Sequence, residues 1–454
     1  MTITALVRRA GPHRSETNAM SRRIYFDGLN LALERGTGIA TYTRLLAQVA
    51  RDLGYEIGIV YSSPQRPAKN TLMREISFFD SRDAAPAALP KLVWDTFCDQ
   101  LRSRLGVQPS AVKLTGTVIT DQFQGRLLLN DHLFVARNLF TNARWYFSWS
   151  GRFIDLNFDT APDIFHCTYQ LPLRVKRSCN VYTIHDLIPL RLPYTTLDNK
   201  RQTYRLLRKI GAEADHIVTV SENSKRDIVQ LLGVPEERVT NTYEAVEIPR
   251  ELVESSDDLV AEQLRGSYRL EPQGYLLFYG ALEPKKNVGR LIDAYMRSAV
   301  DIPLVITGPG GWGNQTEAKI LDRLLAEERA RPERSRRVYH FDYVNFPMLV
   351  TLIRGARAVL FPSLYEGFGL PVLEAMLLGT PVVTSRAGSL AEIAGDAALY
   401  VNPYEINDIA LAIKTITADE SLRAELSRRG RVQAELFSVA RYRERVAALY
   451  KRLG

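Results

Sequence analysis

From Arg22 onward the chain alternates short apolar runs with stretches of helical periodicity, and this alternation limits the possible folds more than any other feature. Strand-like runs stand at Arg23–Asp27, Ile57–Tyr61, Asp163–His166, Val181–His185 and Ile217–Val220, with helical periodicity at Ile39–Leu53, Lys200–Ala214 and Lys225–Leu232. The pattern restarts with a strand at Tyr275–Tyr279 and a helix at Val288–Ser298. It continues with strands at Leu304–Thr307, Val338–Phe341, Ala358–Pro362, Pro381–Thr384 and Leu399–Val401. The runs are continuously apolar rather than alternating, as strands buried on both faces require, and such strands belong to parallel sheets covered by helices. A restart midway along 454 residues predicts an α/β fold of two doubly wound, Rossmann-like domains with a cleft between them.

Residues 1–21 carry Arg8, Arg9, His13 and Arg14 but no apolar segment of the kind a secretory signal needs, and are expected to form a flexible leader. The expected domains are 22–245 and 246–436. A C-terminal helix at 437–454, after a break at Phe437-Ser438, is expected to pack back toward the first domain. The stretch Tyr243–Pro272, with Pro249, Ser255-Ser256-Asp257-Asp258 and Pro272, has the composition of a linker. Residues Ala84–Asp159 interrupt the alternation and concentrate Trp94, Phe97, Trp145, Tyr146, Phe147 and Trp149. These aromatics suit core and rim packing, or the wall of an acceptor groove.

Composition excludes several classes of function. Lys plus Arg is 59 and Asp plus Glu is 51, a net charge of +8, too mild to indicate nucleic acid without a basic arm or an aromatic RNA-binding strand. The three cysteines, Cys98, Cys167 and Cys179, show no C-x-x-C spacing, which argues against a disulfide framework or thiolate zinc and fits a reducing compartment. No run of about 18 apolar residues is present. The chain has no D-x-D, G-x-S-x-G, H-E-x-x-H or Walker A motif.

The sharpest constellation is Phe361-Pro362-Ser363-Leu364-Tyr365-Glu366-Gly367-Phe368-Gly369-Leu370-Pro371-Val372-Leu373-Glu374-Ala375. A strand ends at Pro362, a short loop follows, and Pro371 marks the start of a helix. Gly367 and Gly369 let backbone amides approach a ligand closely, and the helix N-terminus favours a phosphate. Gly367, Phe368, Gly369 and Leu370 are therefore the candidate donor-binding run. Glu374, placed on the first helical turn, can accept hydrogen bonds from a ribose diol, and Glu366 can accept them from a transferred sugar.

Glu366-x7-Glu374 resembles the E-x7-E signature of the retaining nucleotide-sugar glycosyltransferases of family 4, which have the GT-B fold. The resemblance continues in Gly379-Thr380-Pro381-Val382-Val383, in Gly388-Ser389-Leu390-Ala391-Glu392-Ile393 and, upstream, in Gly280-Ala281-Leu282-Glu283-Pro284-Lys285-Lys286-Asn287, covering roughly residues 274–410. It implies that Lys286, with Lys285 beside it, neutralises a departing diphosphate. Ala281 departs from the pattern, since many members carry Arg there. Glu34-Arg35-Gly36-Thr37-Gly38-Ile39 is similar to the family's glycine loop, with Gly38 the closest approach to the donor. His185-Asp186 resembles its catalytic-centre pair and implies a hydrogen bond from His185 to the sugar. His166 and Cys167 match no motif and are expected to be structural.

The resemblance thus implies a hexosyltransferase acting with retention and without metal or cofactor, its donor substrate a nucleoside-diphosphate sugar. The Gly280–Asn287 turn and the His185–Pro189 run look most like those of mannosyl- and rhamnosyltransferases, which points to GDP-mannose, with a glycan or lipid-linked acceptor in cell-surface polysaccharide or glycolipid synthesis. A UDP-sugar donor, or a non-catalytic sugar-nucleotide-binding role in a polysaccharide assembly complex, stay open as alternatives. Arg201, Arg205 and Arg208 share one face of a helix whose other side carries Tyr204, Leu207 and Ile210. That basic face suits peripheral contact with an anionic bilayer, so the expected setting is the cytoplasm at the inner face of the membrane. Nucleic acid is not an expected partner.

Overall fold

The structure, a computed structural model, describes residues 22–32, 38–80, 99, 103–120, 130–310, 326 and 337–454. The leader 1–21, Glu34 to Thr37 of the glycine loop, and Trp94 and Phe97 lie outside the described residues. Among the described residues ten strands come from the first half: β1 (Arg23–Asp27), β2 (Glu56–Ser63), β3 (Ser110–Val112), β4 (His132–Arg137), β5 (Ile154–Leu156), β6 (Ile164–Cys167), β7 (Leu173–Val175), β8 (Cys179–Thr183), β9 (His216–Thr219) and β10 (Val239–Asn241). Six come from the second: β11 (Leu276–Tyr279), β12 (Leu304–Thr307), β13 (Val338–Phe341), β14 (Ala358–Phe361), β15 (Val382–Ser385) and β16 (Ala398–Val401).

Among the described residues these strands build two large sheets, ordered β10-β9-β8-β6-β1-β2-β4-β3 and β13-β12-β11-β14-β15-β16, with a small β5-β7 pair beside the first. Pairing is parallel except for β3 on β4, at the edge of the first sheet. Parallel register fixes both centres: Ile24 pairs with Ile57 on one side and Ile164 on the other, and Leu276 with Leu304 and Ala358. Leu276, Leu277 and Phe278 have no exposed surface, so adjacent side chains on both faces of β11 are covered, as its unbroken apolar run requires. The covering helices show why they form where they do. In Val288–Ser298 the buried residues Val288, Leu291, Ile292 and Tyr295 follow the helical period.

The stretch with linker composition is more ordered than its residues suggest. Ser256 caps the helix Asp257–Tyr268 by accepting from the Leu259 amide at 3.2 Å, and Asp257 and Asp258 fill the first turn. Ser-Ser-Asp-Asp is therefore a helix start rather than a loop, because a side-chain acceptor and early negative charge satisfy the unpaired amides. Arg354 reaches back to Asp257 at 3.1 Å and ties this helix to the second sheet.

The last helix, Val439–Leu453, buries Tyr442, Val446, Leu449 and Tyr450. It lies against the first sheet and its helix Gly38–Asp52: Arg443 bonds the Asp52 carbonyl at 3.1 Å and Arg452 bonds Thr240 Oγ1 at 2.6 Å. The Tyr450 hydroxyl meets His166 Nδ1 at 2.8 Å, and His166 Nε2 meets Thr183 Oγ1 at 2.8 Å. Burial drives the His166 pKa down to about 3, so the ring is neutral and acts as a hydrogen-bonded core residue. Cys167, also fully buried, has its thiol pKa pushed well up by burial. Replacing Tyr450 with Phe leaves a ring nitrogen of His166 buried without its partner; a loss of about 1–3 kcal/mol in stability is the expected outcome, measured by urea denaturation.

Candidate active site

In the second sheet the strand order reverses between β11 and β14, the place where open α/β sheets bind ligands. The two segments leaving these strands are Gly280–Asn287 and Pro362–Gly369, and backbone bonds join them. The Leu364 amide donates to the Lys285 carbonyl at 2.7 Å. Buried Asn287, in the left-handed region at φ 63°, donates through Nδ2 to Pro362 O at 3.0 Å and Pro403 O at 2.6 Å. The lysine pair occupies a 3₁₀ turn, Pro284–Lys286, ahead of the helix that begins at Val288, so it lies outside that helix's first turn.

Lys286 Nζ stands 2.7 Å from Glu366 Oε1 and 4.6 Å above the centre of the Phe361 ring. Lys285 is mostly buried, 3.5 Å from Glu283. Burial opposes its charge, but Glu366, Asp186 and Glu283 outweigh that and raise its pKa. Burial likewise pushes the Glu366 carboxyl upward, and the two lysines overcome it and hold the group below its ordinary value. Glu366 is therefore ionised at neutral pH, able to accept hydrogen bonds and unable to give up a proton.

Gly369, at φ 106°, caps the helix Leu370–Leu377, a backbone conformation that favours glycine. Glu374 is the fifth residue of this helix and so begins the second turn; the expected first-turn position is one residue short, because the helix starts at Leu370 with Pro371 second. Burial raises Glu374 to about 7, against the smaller pull of the Tyr279 hydroxyl and Lys286. The side chain of Phe368 is turned away from the cleft: it is buried edge-on against Phe437, 5.7 Å between ring centres. Only its backbone can face a ligand, since the aromatic ring is more stable in the core. Ser389 holds this loop in place, its Oγ 2.7 Å from Phe368 O and its amide donating to Glu366 O at 3.1 Å.

The first sheet supplies the opposite wall. Gly38 opens the helix Gly38–Asp52, and a Cβ there would lie 3.1 Å from Leu370 Cδ1, so Gly38 reaches the start of the donor-side helix. His185, just beyond β8, has Nδ1 3.1 Å from Glu244 Oε1 and Nε2 3.0 Å from the Thr168 carbonyl. A hydrogen bond from this ring to a sugar requires one of these partners to give way. Gly367 packs directly on the His185-Asp186 backbone: a Cβ would stand 2.7 Å from Asp186 Cβ and 2.9 Å from His185 O. Its carbonyl accepts from Ser221 Oγ at 2.7 Å. Tyr365 donates to Asp227 at 2.5 Å, and Glu392 accepts from the Glu222 and Asn223 amides at 2.8 and 3.1 Å, capping the helix Glu222–Leu232 across the cleft.

The structure thus brings Gly38, His185, Lys285, Lys286, Glu366, Gly367, Gly369, Leu370 and Glu374 to one cleft. It adds Thr168, Ser221, Glu244 and Tyr279, which sequence reasoning did not select, and gives Ser389 of the Gly388–Ile393 run its part in holding the loop. Glu244 follows β10 at the carboxyl edge of the sheet, where a polar residue signals a site; Ser221 and Thr168 are ordinary in sequence and gain meaning only from their partners. Among the described residues, no group of three or more His, Cys, Asp or Glu converges as a metal site would require.

Outside the cleft, the basic helix forms at Lys200–Glu213 with Arg201, Arg205 and Arg208 exposed. Two of the three are engaged: Arg205 bonds Ser148 O at 3.2 Å and Arg208 bonds Leu232 O at 2.8 Å, each near the end of another helix where carbonyls lack partners. Leu207 and Ile210 are buried, whereas Tyr204 faces solvent and does not join the core stripe. Tyr146 and Phe147 are core, while Trp145 and Trp149 are each 61% exposed. No helix among the described residues is long and apolar enough to cross a membrane.

The Gly367 contact has a direct test. Gly367→Ala places a methyl group against the His185-Asp186 backbone and should force the two walls apart. The expected result is a larger radius of gyration in small-angle scattering and a loss of about 1–3 kcal/mol by denaturation.

Residues 261–433 match the family model for glycosyl transferases group 1, and residues 114–248 that for glycosyltransferase family 4. The chain is 34% identical over 278 residues to O-antigen chain mannosyltransferase B of Escherichia coli, covering 60% of this chain and 69% of that protein. It is 28% identical over 266 residues to the serotype-specific mannosyltransferase WbdA of Escherichia coli, a match of 57% of this chain and 32% of that relative's length. In fold it is similar to HepE of Anabaena, solved in complex with UDP and glucose: TM-score 0.64, 17% identity, 95% of this chain and 100% of that one. With two parallel α/β sheets of this order and a family 4 relative at this identity, the chain belongs to the group 1 glycosyltransferases, the family 4 enzymes of GT-B fold that transfer hexoses with retention.

Proposed function

We propose that the chain transfers a mannosyl residue or a deoxy relative from a GDP-sugar to a hydroxyl of a glycan or lipid-linked acceptor, in cell-surface polysaccharide or glycolipid synthesis. The observation that carries the donor site is the convergence of Lys285, Lys286 and the start of the helix Leu370–Leu377 on one side of the cleft. Two ammonium groups and a helix N-terminus suit a diphosphate, and they stabilise it most when the sugar bond breaks and negative charge grows on the leaving group. Lys285 supplies a second positive charge to a turn that carries Ala281 in place of an arginine. Glu366, kept ionised, accepts from sugar hydroxyls. Glu374 accepts from the ribose, and the hydroxyls and Lys286 favour its charged form on binding. The sugar and the base rest on likeness to the O-antigen mannosyltransferases. Peripheral contact at the inner face of the membrane belongs to the same proposal, supported by exposed Trp145 and Trp149 and by Arg201, since Arg205 and Arg208 are engaged elsewhere.

Calorimetric titration with GDP and UDP separately tests the donor. GDP is expected to bind at least tenfold more tightly, a difference of about 1.4 kcal/mol. UDP binding tenfold more tightly instead assigns a UDP-sugar. Turnover is expected to be unchanged in excess EDTA, because the cations and helix start do the work a metal would do; full loss with recovery on magnesium or manganese would contradict this.

The Glu374 carboxyl gives a second test, through pH. Its pKa, raised to about 7, means the accepting form is lost as pH falls through neutrality. The ratio of GDP affinity in wild type to that in Glu374→Gln should therefore fall by up to about tenfold per pH unit below 7 and level off above it. A ratio independent of pH removes Glu374 from the donor site.

A further inference from the structure

His185 and Glu244 form a pair that the roles above do not use. Their side chains are 11% and 8% exposed, and Nδ1 stands 3.1 Å from Glu244 Oε1. On the other side Nε2 faces the Thr168 carbonyl at 3.0 Å. A carbonyl oxygen only accepts, so Nε2 carries a hydrogen, and with the proton of the His185–Glu244 pair on the ring Nδ1 carries one too. In that state the ring is an imidazolium between two acceptors. Thr168 is itself held, its amide and hydroxyl both donating to buried Asp27 at the end of β1, which aims its carbonyl at the ring. The His185 carbonyl accepts from Ser224 Oγ at 2.9 Å.

We propose that Glu244 is a positioning residue for the transfer reaction, holding His185 as a fixed cation, with both ring hydrogens directed, at the cleft edge crossed by the Gly367 loop. This rests on the glycosyl-transfer function above. The other groups around the ring fit it. Asp186, the next residue, adds negative charge in favour of the cation. Tyr42, from the helix Gly38–Asp52, meets the ring edge-on at 4.9 Å, and Tyr442 of the last helix stands 6.5 Å from the Tyr42 ring. Both phenols have raised pKa values through burial and stay neutral. Burial alone would strip the proton from His185; Glu244 first, then the Thr168 carbonyl and Asp186, outweigh it and raise the ring's pKa above its ordinary value. A cation held this way neutralises charge growing in the cleft without surrendering a proton.

The experiment uses the full chain labelled with ¹⁵N in histidine, with the His185 signals identified by their loss in His185→Asn. In wild type the ring is expected to show two protonated nitrogens at pH 7.5. In Glu244→Gln burial is no longer outweighed, and the ring should titrate at or below the ordinary value of about 6.5. At pH 8 the kcat of that variant relative to wild type should then be at least about thirtyfold lower than at its protonated limit, with donor KM within about twofold. Glu244→Asp should restore most of the high-pH activity. A neutral His185 ring in wild type overturns the proposal, as does a folded Glu244→Gln whose kcat ratio does not change with pH. If wild type transfers no sugar from any donor, the transfer function fails while the nitrogen spectra still decide the state of the pair.

Discussion

Everything at the cleft depends on the backbone contact between Gly367 and the His185-Asp186 segment. A residue with any side chain there would overlap Asp186 Cβ and the His185 carbonyl, so the two sheets could not approach as they do. Around this contact the closure is polar. Ser221 bonds the Gly367 carbonyl, Tyr365 bonds Asp227, and Glu392 caps a helix belonging to the other sheet. Hydrogen bonds of this kind contribute modestly each and can be exchanged for water, unlike an apolar seam. That suits a cleft that has to admit a donor and release a nucleotide. The apolar attachment is elsewhere, where the last helix, Val439–Leu453, returns to the first sheet through Tyr442, Val446, Leu449 and Tyr450.

The electrostatics of the cleft follow from the same arrangement. Two lysines from a turn after β11 and a glutamate from the loop after β14 are neighbours only because those strands are adjacent at the reversal of strand order. Packed together with little water, they set one another's charge: the lysines keep Glu366 ionised, and Glu366, Asp186 and Glu283 keep Lys285 protonated. Glu374, in the helix that follows and compensated by Lys286 alone among the cations, moves upward to about 7 instead. Two glutamates eight positions apart thus acquire different chemistry, because two lysines act on one and a single lysine on the other.

The alternation of apolar runs and helical periods was enough to determine two doubly wound parallel sheets, because strands covered on both faces leave no polar alternation to confuse them. Glu366, Glu374, Lys286 and the glycines were legible for a related reason. Glycines, a proline and acidic residues between a strand and a helix express local backbone demands, which neighbouring residues alone can state. The Ser255–Asp258 cluster was misleading at this level, since a helix cap and a loop use the same residue types. Tertiary structure alone decided what these residues face. Phe368 turns to Phe437 in the core, Arg205 and Arg208 reach the carbonyl ends of other helices, and His185 meets Glu244 across 59 residues. Sequence carries the short-range preferences of backbone and period, whereas burial, partner and protonation state are set by groups far apart in the chain that only the closed fold brings within hydrogen-bond reach.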